Sequence, residues 1–132
     1  MFSKKFLVAD DYIDTNGHLN EVGYYHYAGK VPWAKGKKLF KDDFITKHNI
    51  GPIIFETKIE FLKEIFSGET INITLEFIDL KENGRKFTRV IRMYNELNDL
   101  SAIVTSKGGF MDLKTRKVVS PPEEVYQKFL NN

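Results

Sequence analysis

Apolar positions along the chain follow two different periods. Between Asn20 and Trp33, the residues Val22, Tyr25, Ala28 and Trp33 recur at near-helical spacing, with Tyr24 and Val31 widening the same face. This pattern predicts a helix that begins at Asn20. Asn20 suits an N-cap and Glu21 suits the positive helix end. Gly29 and Pro32 are poor interior residues, and Pro32 predicts a kink or the first turn of a second helix. Lys35, Lys37, Lys38 and Lys41 gather where the helix should end. They fit either cations complementing a helix C-terminus or contacts to a phosphate.

After Gly51-Pro52 the period becomes that of a strand. Ile53, Phe55, Thr57, Ile59 and Phe61 share one expected face, and Ile54, Glu56, Lys58 and Glu60 the other. Ile71, Ile73, Leu75 and Phe77 alternate with Asn72, Thr74 and Glu76, the pattern of a half-buried strand. Glu82-Asn-Gly-Arg85 is a hairpin signal, with Phe87–Tyr94 as the return strand. A turn at Glu96–Asp99 leads to a last strand through Ala102–Thr105 and Phe110–Leu113. Gly108-Gly109 inside it predicts a bulge or bend. Phe6–Val8 reads as a short first strand. Ser120-Pro-Pro-Glu123 opens a short C-terminal helix whose apolar side is Val125, Tyr126, Phe129 and Leu130.

One long helix followed by consecutive antiparallel strands is an α+β pattern, and a curved sheet wrapped around the helix would bury both apolar faces. With 132 residues, the chain is expected to form a single domain, residues 1–132. A net charge of only +2 gives no reason to expect a nucleic-acid partner. The chain has no cysteine, which excludes disulfides, thiolate catalysis and cysteine-based zinc sites. The apolar run near the N-terminus is too short for a signal peptide, and no segment has the length of a membrane span. A cytoplasmic protein is expected.

The chemistry-bearing residues concentrate in Asp11–Tyr25, DYIDTNGHLNEVGYY. Three readings compete for it. Asp14, Asn16 and Gly17 imitate the centre of a calcium-binding loop, but Tyr12 and Gly23 stand where its anchoring carboxylates would be needed. His18 and His26, or Asp14 with His18, lack the further ligands of a zinc or iron site. No metal is therefore expected. A purely structural reading makes Asp14 and Asn16 turn formers, Gly17 the residue with the unusual backbone angle and Asn20 the cap. It leaves His18, Tyr24 and Tyr25 unexplained. A chemical reading places a carboxylate just ahead of a helix N-terminus, whose unpaired N–H groups can hold an oxyanion while the carboxylate attacks a carbonyl or activates water.

Asp14-Thr-Asn-Gly17-His18-Leu19-Asn20, followed by Tyr24, resembles the D-x-x-G-H-V-N-N-x-x-Y signature of hotdog-fold acyl-CoA thioesterases of the 4-hydroxybenzoyl-CoA thioesterase-like group. Glu56–Leu62 with Ser67-Gly-Glu69, and Phe110–Leu113 through Val118 to Glu124, are similar to later parts of that family. The resemblance implies a hotdog fold, a homodimer or tetramer with sites between subunits, and an acyl-CoA or related thioester as substrate, without a cofactor. It makes Asp14 the catalytic nucleophile or general base and puts the oxyanion on backbone N–H groups near Asn20, Glu21 and Val22. Gly17, His18, Asn20, Tyr24 and Tyr25 become substrate-binding candidates, and Glu56 a second carboxylate. The chain departs from the pattern at Tyr12 and at Glu21, which adds negative charge where the thioester would sit. A non-catalytic acyl-binding module and a hotdog dehydratase are the rival readings.

Overall fold

The computed structural model describes residues 1–39, 47–81 and 83–130, with no side-chain description at 38, 39, 129 and 130. Strand β1 (Phe2–Leu7) leads through a one-turn 3-10 helix at Asp10–Tyr12 to α1 (Glu21–Leu39). Four long strands follow, β2 (Ile50–Phe61), β3 (Thr70–Lys81), β4 (Lys86–Tyr94) and β5 (Leu100–Asp112). A two-residue strand β6 (Val118–Val119) and helix α2 (Glu123–Leu130) end the described chain. Every pairing is antiparallel, and the sheet order is β1-β3-β4-β5-β2, with β6 beside β5. Helix α1 packs across β1, β3, β4 and β5. The result is a curved antiparallel sheet around one main helix.

Strand β1 begins earlier than the apolar run Phe6–Val8 suggests. It pairs with β3 from Phe2 to Leu7 while Ser3, Lys4 and Lys5 stay in solvent. An edge strand satisfies one row of backbone groups and needs no full apolar face, so hydrophobic pattern under-reports it. In β3 the expectation holds: Ile71, Ile73 and Leu75 are fully buried, and Phe77 packs at the margin of the core. Their partners beneath α1 are Ile91 and Met93 of β4 and Ala102 and Val104 of β5.

The helix turns a different face to the sheet from the one expected. Tyr24, Tyr27, Ala28, Val31 and Lys35 are buried, whereas Val22, Tyr25 and Trp33 are exposed. Both sets have helical spacing, and packing against β3 and β4 selects the first. Lys35 therefore leaves the expected surface cluster of cations. It is only 3% exposed, its Nζ lies 4.8 Å from the centre of the Phe77 ring, and burial pulls its pKa down. Lys37 lies instead against the exposed Trp33 ring. The side chain of Lys38, and Lys41 altogether, lie outside the described residues. Helix α1 runs through Pro32 and does not end there. The ring removes the amide that would bond the Ala28 carbonyl, and tertiary packing of Ala28 and Val31 outweighs that loss.

The glycines of β5 act differently from a bulge in their own strand. Gly108 and Gly109 continue the ladder, and the register shifts on the facing strand, between Ile54 and Glu56 of β2. A Cβ on Gly108 would stand 2.4 Å from the Ile53 carbonyl oxygen, and one on Gly109 would stand 2.6 Å from that of Arg85. The missing side chains let both neighbouring strands approach. The extra residue at Phe55 breaks the expected alternation of β2. Phe55 is 51% exposed, and Ile54 packs instead with Phe87, Phe110 and Val125 in a second apolar cluster under α2. At the β3–β4 turn, Asn83 and Gly84 both take positive φ, 58° and 83°, as the Asn-Gly signal requires; Glu82 lies outside the described residues. The side chains of Phe129 and Leu130, expected on the apolar side of α2, are likewise outside the description.

Candidate active site

The loop between the 3-10 turn and α1 is a closed hairpin. Ile13 pairs with Leu19, the Asp14 amide donates to the His18 carbonyl at 3.0 Å, and the Gly17 amide donates to the Asp14 carbonyl at 3.0 Å. The Asn16 amide donates to Asp14 Oδ1 at 2.9 Å, a local Asx turn. Gly17 sits at φ +86°, a conformation that favours glycine. The structural reading holds here for Asp14 and Gly17, while Asn16 enters the turn through its backbone amide. Asp14 Oδ1 serves the turn, and Oδ2 has no protein partner among the described residues.

Two attachments place this loop. The Leu19 amide donates to the Ile65 carbonyl at 2.8 Å, and His18 bridges to Phe66. They hold the loop against the segment that leaves β2, which is itself tied to β5 by the Leu62 and Lys63 amides on the Ser101 carbonyl. A cleft of about 580 Å³ lies between the two, lined by Asp14, His18, Asn20, Glu21 and Tyr24 on one side and by Phe61–Glu64 on the other. The sequence pattern offered no sign of Leu62, Lys63 or Glu64 as cleft residues, since nothing local brings the end of β2 to the start of α1.

Asn20 caps α1, its Oδ1 accepting from the Gly23 amide at 2.8 Å, and its carbonyl accepts from the Tyr24 amide. Its own amide donates to the Tyr12 carbonyl at 2.8 Å and so is not free for an oxyanion, which corrects the expectation for that group. The amides of Glu21 and Val22 have no intrahelical acceptor to reach. Glu21 lines the cleft that Asp14 borders, and Val22 lines the neighbouring one. Close approach at the helix start depends on Gly23, where a Cβ would meet Leu19 Cδ1 at 2.4 Å and Tyr12 Cβ at 2.6 Å.

The two tyrosines separate. Tyr24 is buried, and its hydroxyl donates to the Lys63 carbonyl at 2.8 Å. Burial, ahead of smaller contributions from Glu64 and Glu69, raises its pKa above the ordinary 10.0. Tyr24 thus ties α1 to the far wall of the cleft. Replacing it with Phe should cost about 1 kcal/mol in urea unfolding. It should also flatten part of the loss of stability at alkaline pH. The raised pKa keeps the proton on the folded state while the unfolded state releases it, so Tyr24 loses stabilising effect as pH rises above about 10. Unchanged urea midpoints for Tyr24→Phe would show that the tether carries no load. Tyr25 is 43% exposed and lines a second cleft of about 600 Å³ with Tyr12, Val22, His26, Ile59 and Phe61. Glu21 and Phe61 border both clefts. Glu56 is not brought to either. It lies exposed on β2 opposite Lys107. Among the described residues no three His, Asp or Glu side chains gather as a metal site, and no helix is long and apolar enough to cross a membrane.

A family model described as the thioesterase-like superfamily matches residues 8–129. Among solved structures, the chain is similar to a hypothetical protein from Staphylococcus aureus solved in complex with CoA, at 16% identity and TM-score 0.88, covering 98% of this chain and 82% of that one. It is similar to a probable thioesterase from Escherichia coli, at 19% identity and TM-score 0.84, covering 98% and 99%. It is also similar to a 1,4-dihydroxy-2-naphthoyl-CoA thioesterase from Synechocystis, at 13% identity and TM-score 0.84, covering 98% and 96%. At these identities the likeness shows the hotdog fold. Comparison with curated proteins gives no match.

Proposed function

Since the chain belongs to the thioesterase-like superfamily, we propose that it hydrolyses an acyl-CoA-type thioester to the free acid and thiol, with Asp14 as the catalytic carboxylate. The observation that carries this reading is one cleft bordered by both Asp14 and the N-terminal turn of α1. The thioester carbonyl would lie at that turn, its oxygen toward the Glu21 and Val22 amides, where negative charge developing in the transition state meets fixed N–H dipoles. In one course Asp14 takes a proton from water as the water oxygen bonds the carbonyl carbon. The tetrahedral oxyanion then collapses, the C–S bond breaks and the proton passes to the leaving thiolate. In the other, an Asp14 oxygen bonds the carbonyl carbon, the C–S bond breaks and the thiolate leaves and takes up a proton; water then attacks the mixed anhydride, releasing the free acid and restoring the Asp14 carboxylate. A thiol-release assay over short, long, branched and aromatic acyl-CoAs tests the reading, with Asp14→Asn beside the wild type. Turnover of none of them by the wild type rejects hydrolysis for that panel.

His18, Asn20 and Tyr24 shape the cleft in this reading, and the S. aureus neighbour with bound CoA supports CoA as the carrier. Glu56 has no role in it, because it borders neither cleft. A homodimer also belongs to the proposal. Strand β2 is a 12-residue sheet edge, and Phe55, Phe61, Val22, Tyr25 and Trp33 are exposed on it and on α1. A long edge beside exposed apolar side chains is a template for pairing with a second copy. Sedimentation equilibrium should give twice the chain mass of 15.4 kDa, and a mass of one chain at micromolar concentration would reject the dimer.

A further inference from the structure

One charged side chain under α1 has no part in the chemistry above. Arg89 lies on the helix-facing side of the sheet, between the buried Phe87 and Ile91 of the same strand. Its Nη2 donates to Ser106 Oγ at 3.3 Å, and Ser106 Oγ is 2.9 Å from Thr57 Oγ1 on β2. The Tyr25 phenol is its other polar neighbour. Arg89 Nε is buried and has no hydrogen-bond partner. No carboxylate is paired with the guanidinium among the described residues. Burial lowers its pKa, and Tyr25 partly offsets that. A guanidinium cannot shed its charge near neutral pH, so an interior one without an anion is costly to keep.

The position of Arg89 explains what that cost could serve. Tyr25, its neighbour, lines the second cleft. Ile59 in the same cleft is the next residue after Thr57 on the same face of β2. The two clefts meet at Glu21 and Phe61. Arg89 itself borders neither cleft and stands behind Tyr25, so a thioester held beside Asp14 would send its acyl chain past Phe61 and between Tyr25 and Ile59, and would reach Arg89 by displacing the Tyr25 phenol. Glu21, which borders both clefts, and Tyr25 are about one helical turn apart, roughly 5.4 Å, a span of a few methylenes along this part of the path. A second cation, Lys35, lies farther along α1 on its sheet-facing side, against Phe77, the cross-strand neighbour of Arg89, and it adds to the positive potential there.

We propose that Arg89 binds a carboxylate at the far end of the acyl group, and that the site selects thioesters of short dicarboxylic acids over unsubstituted acyl chains. This rests on the thioester reading of the Asp14 cleft and extends it to a substrate class. The anion would take the free Nε and share the fork with Ser106, a bidentate pairing for which a guanidinium is shaped.

The test compares succinyl-, glutaryl- and adipyl-CoA with butyryl-, pentanoyl- and hexanoyl-CoA, in wild type, Arg89→Met and Arg89→Lys. Binding of the matching non-hydrolysable thioethers, carboxyl-ended and methyl-ended, is measured by calorimetry alongside. The wild type is expected to prefer carboxylated substrates by about tenfold or more. Arg89→Met should abolish that preference while still turning over the methyl-ended chains, and Arg89→Lys should keep part of it. Equal rates and equal affinities for the two series in the wild type overturn the inference and leave hydrolysis standing, and that comparison needs no folded variant. A preference that survives unchanged in a folded Arg89→Met also overturns it. If the wild type hydrolyses neither series, the hydrolase reading fails and the thioethers decide. Tighter binding of the carboxyl-ended ligand, lost in Arg89→Met, upholds the anchor, and equal or absent binding rejects it.

Discussion

Asp14→Asn should lower thioester turnover by at least about 100-fold, the usual worth of a positioned base or more, while leaving the protein folded. The two halves of that expectation come from the two oxygens of one carboxylate. Oδ1 accepts from the Asn16 amide and belongs to the turn. An asparagine carbonyl oxygen can accept the same bond, so the hairpin from Ile13 to Leu19 keeps its geometry. What the substitution removes is the charge and the basic lone pair at Oδ2. Among the described residues, no group bonds Oδ2. Denaturant midpoints near those of the wild type, together with lost activity, would assign Asp14 to chemistry. A folded Asp14→Asn with wild-type turnover would sink the catalytic assignment, and a variant that binds acyl-CoA but unfolds more readily would favour a structural carboxylate in a binding module. Trapping an acyl-enzyme by rapid quench in the wild type, absent from Asp14→Asn, would distinguish nucleophile from base.

Gly108→Val should destabilise the domain by about 3 kcal/mol, the upper range of ordinary overpacking. Against a total stability on the order of 5–15 kcal/mol, such a loss is large enough to reduce soluble expression. The new Cβ would lie 2.4 Å from the Ile53 carbonyl oxygen and 2.8 Å and 3.0 Å from two atoms of the Phe87 ring. The oxygen is backbone in the paired strand β2, and Phe87 is buried in the second cluster with Phe110 and Val125. Neither neighbour can yield without breaking a ladder bond or opening the packing under α2. The consequence for function is indirect. Strand β5 carries both Ser106, which bonds Arg89, and Ser101, which anchors the Leu62–Lys63 wall of the Asp14 cleft. Urea unfolding checks the prediction, and a loss below about 0.5 kcal/mol, typical of surface changes, would refute the close-approach argument.

Much of the fold was legible because its signals are local. The alternation of Ile71, Ile73 and Leu75 reports a strand with one dry face, Asn83-Gly84 reports a tight turn, and Asn20 ahead of an apolar run reports a helix start. Each arises from backbone geometry within a few residues. The motif around Asp14 was legible for the same reason. Its carboxylate, glycine and cap are neighbours in sequence, and their turn and capping bonds form within the loop itself.

Other features were not written locally. The Asn20–Trp33 stretch has apolar residues on two helical faces, and only contact with β3 and β4 decided that Tyr24, Tyr27 and Val31 go inward while Val22, Tyr25 and Trp33 stay outside. The bulge appeared opposite the glycines that suggested it, because register is a property of the strand pair β2–β5. Lys35 gave no sign of burial, since a lysine near a helix end ordinarily faces water.

By itself, then, the sequence determined the α+β class, the β3–β4 and β4–β5 hairpins and the loop that presents Asp14, all consequences of interactions spanning a few residues; β2, expected to run on into β3, pairs with β5 at the sheet edge instead. The tertiary structure alone decided what faces that loop. The end of β2 and the Lys63 carbonyl close the cleft from about forty residues away, as the Tyr24–Lys63 bond records, and Arg89 of β4 meets Ser106 of β5 and Tyr25 of α1 beneath the helix. These contacts depend on sheet order and on the rotation of α1 over the sheet. Both are set by the joint burial of apolar surface from several distant segments, so no single stretch of sequence encodes them.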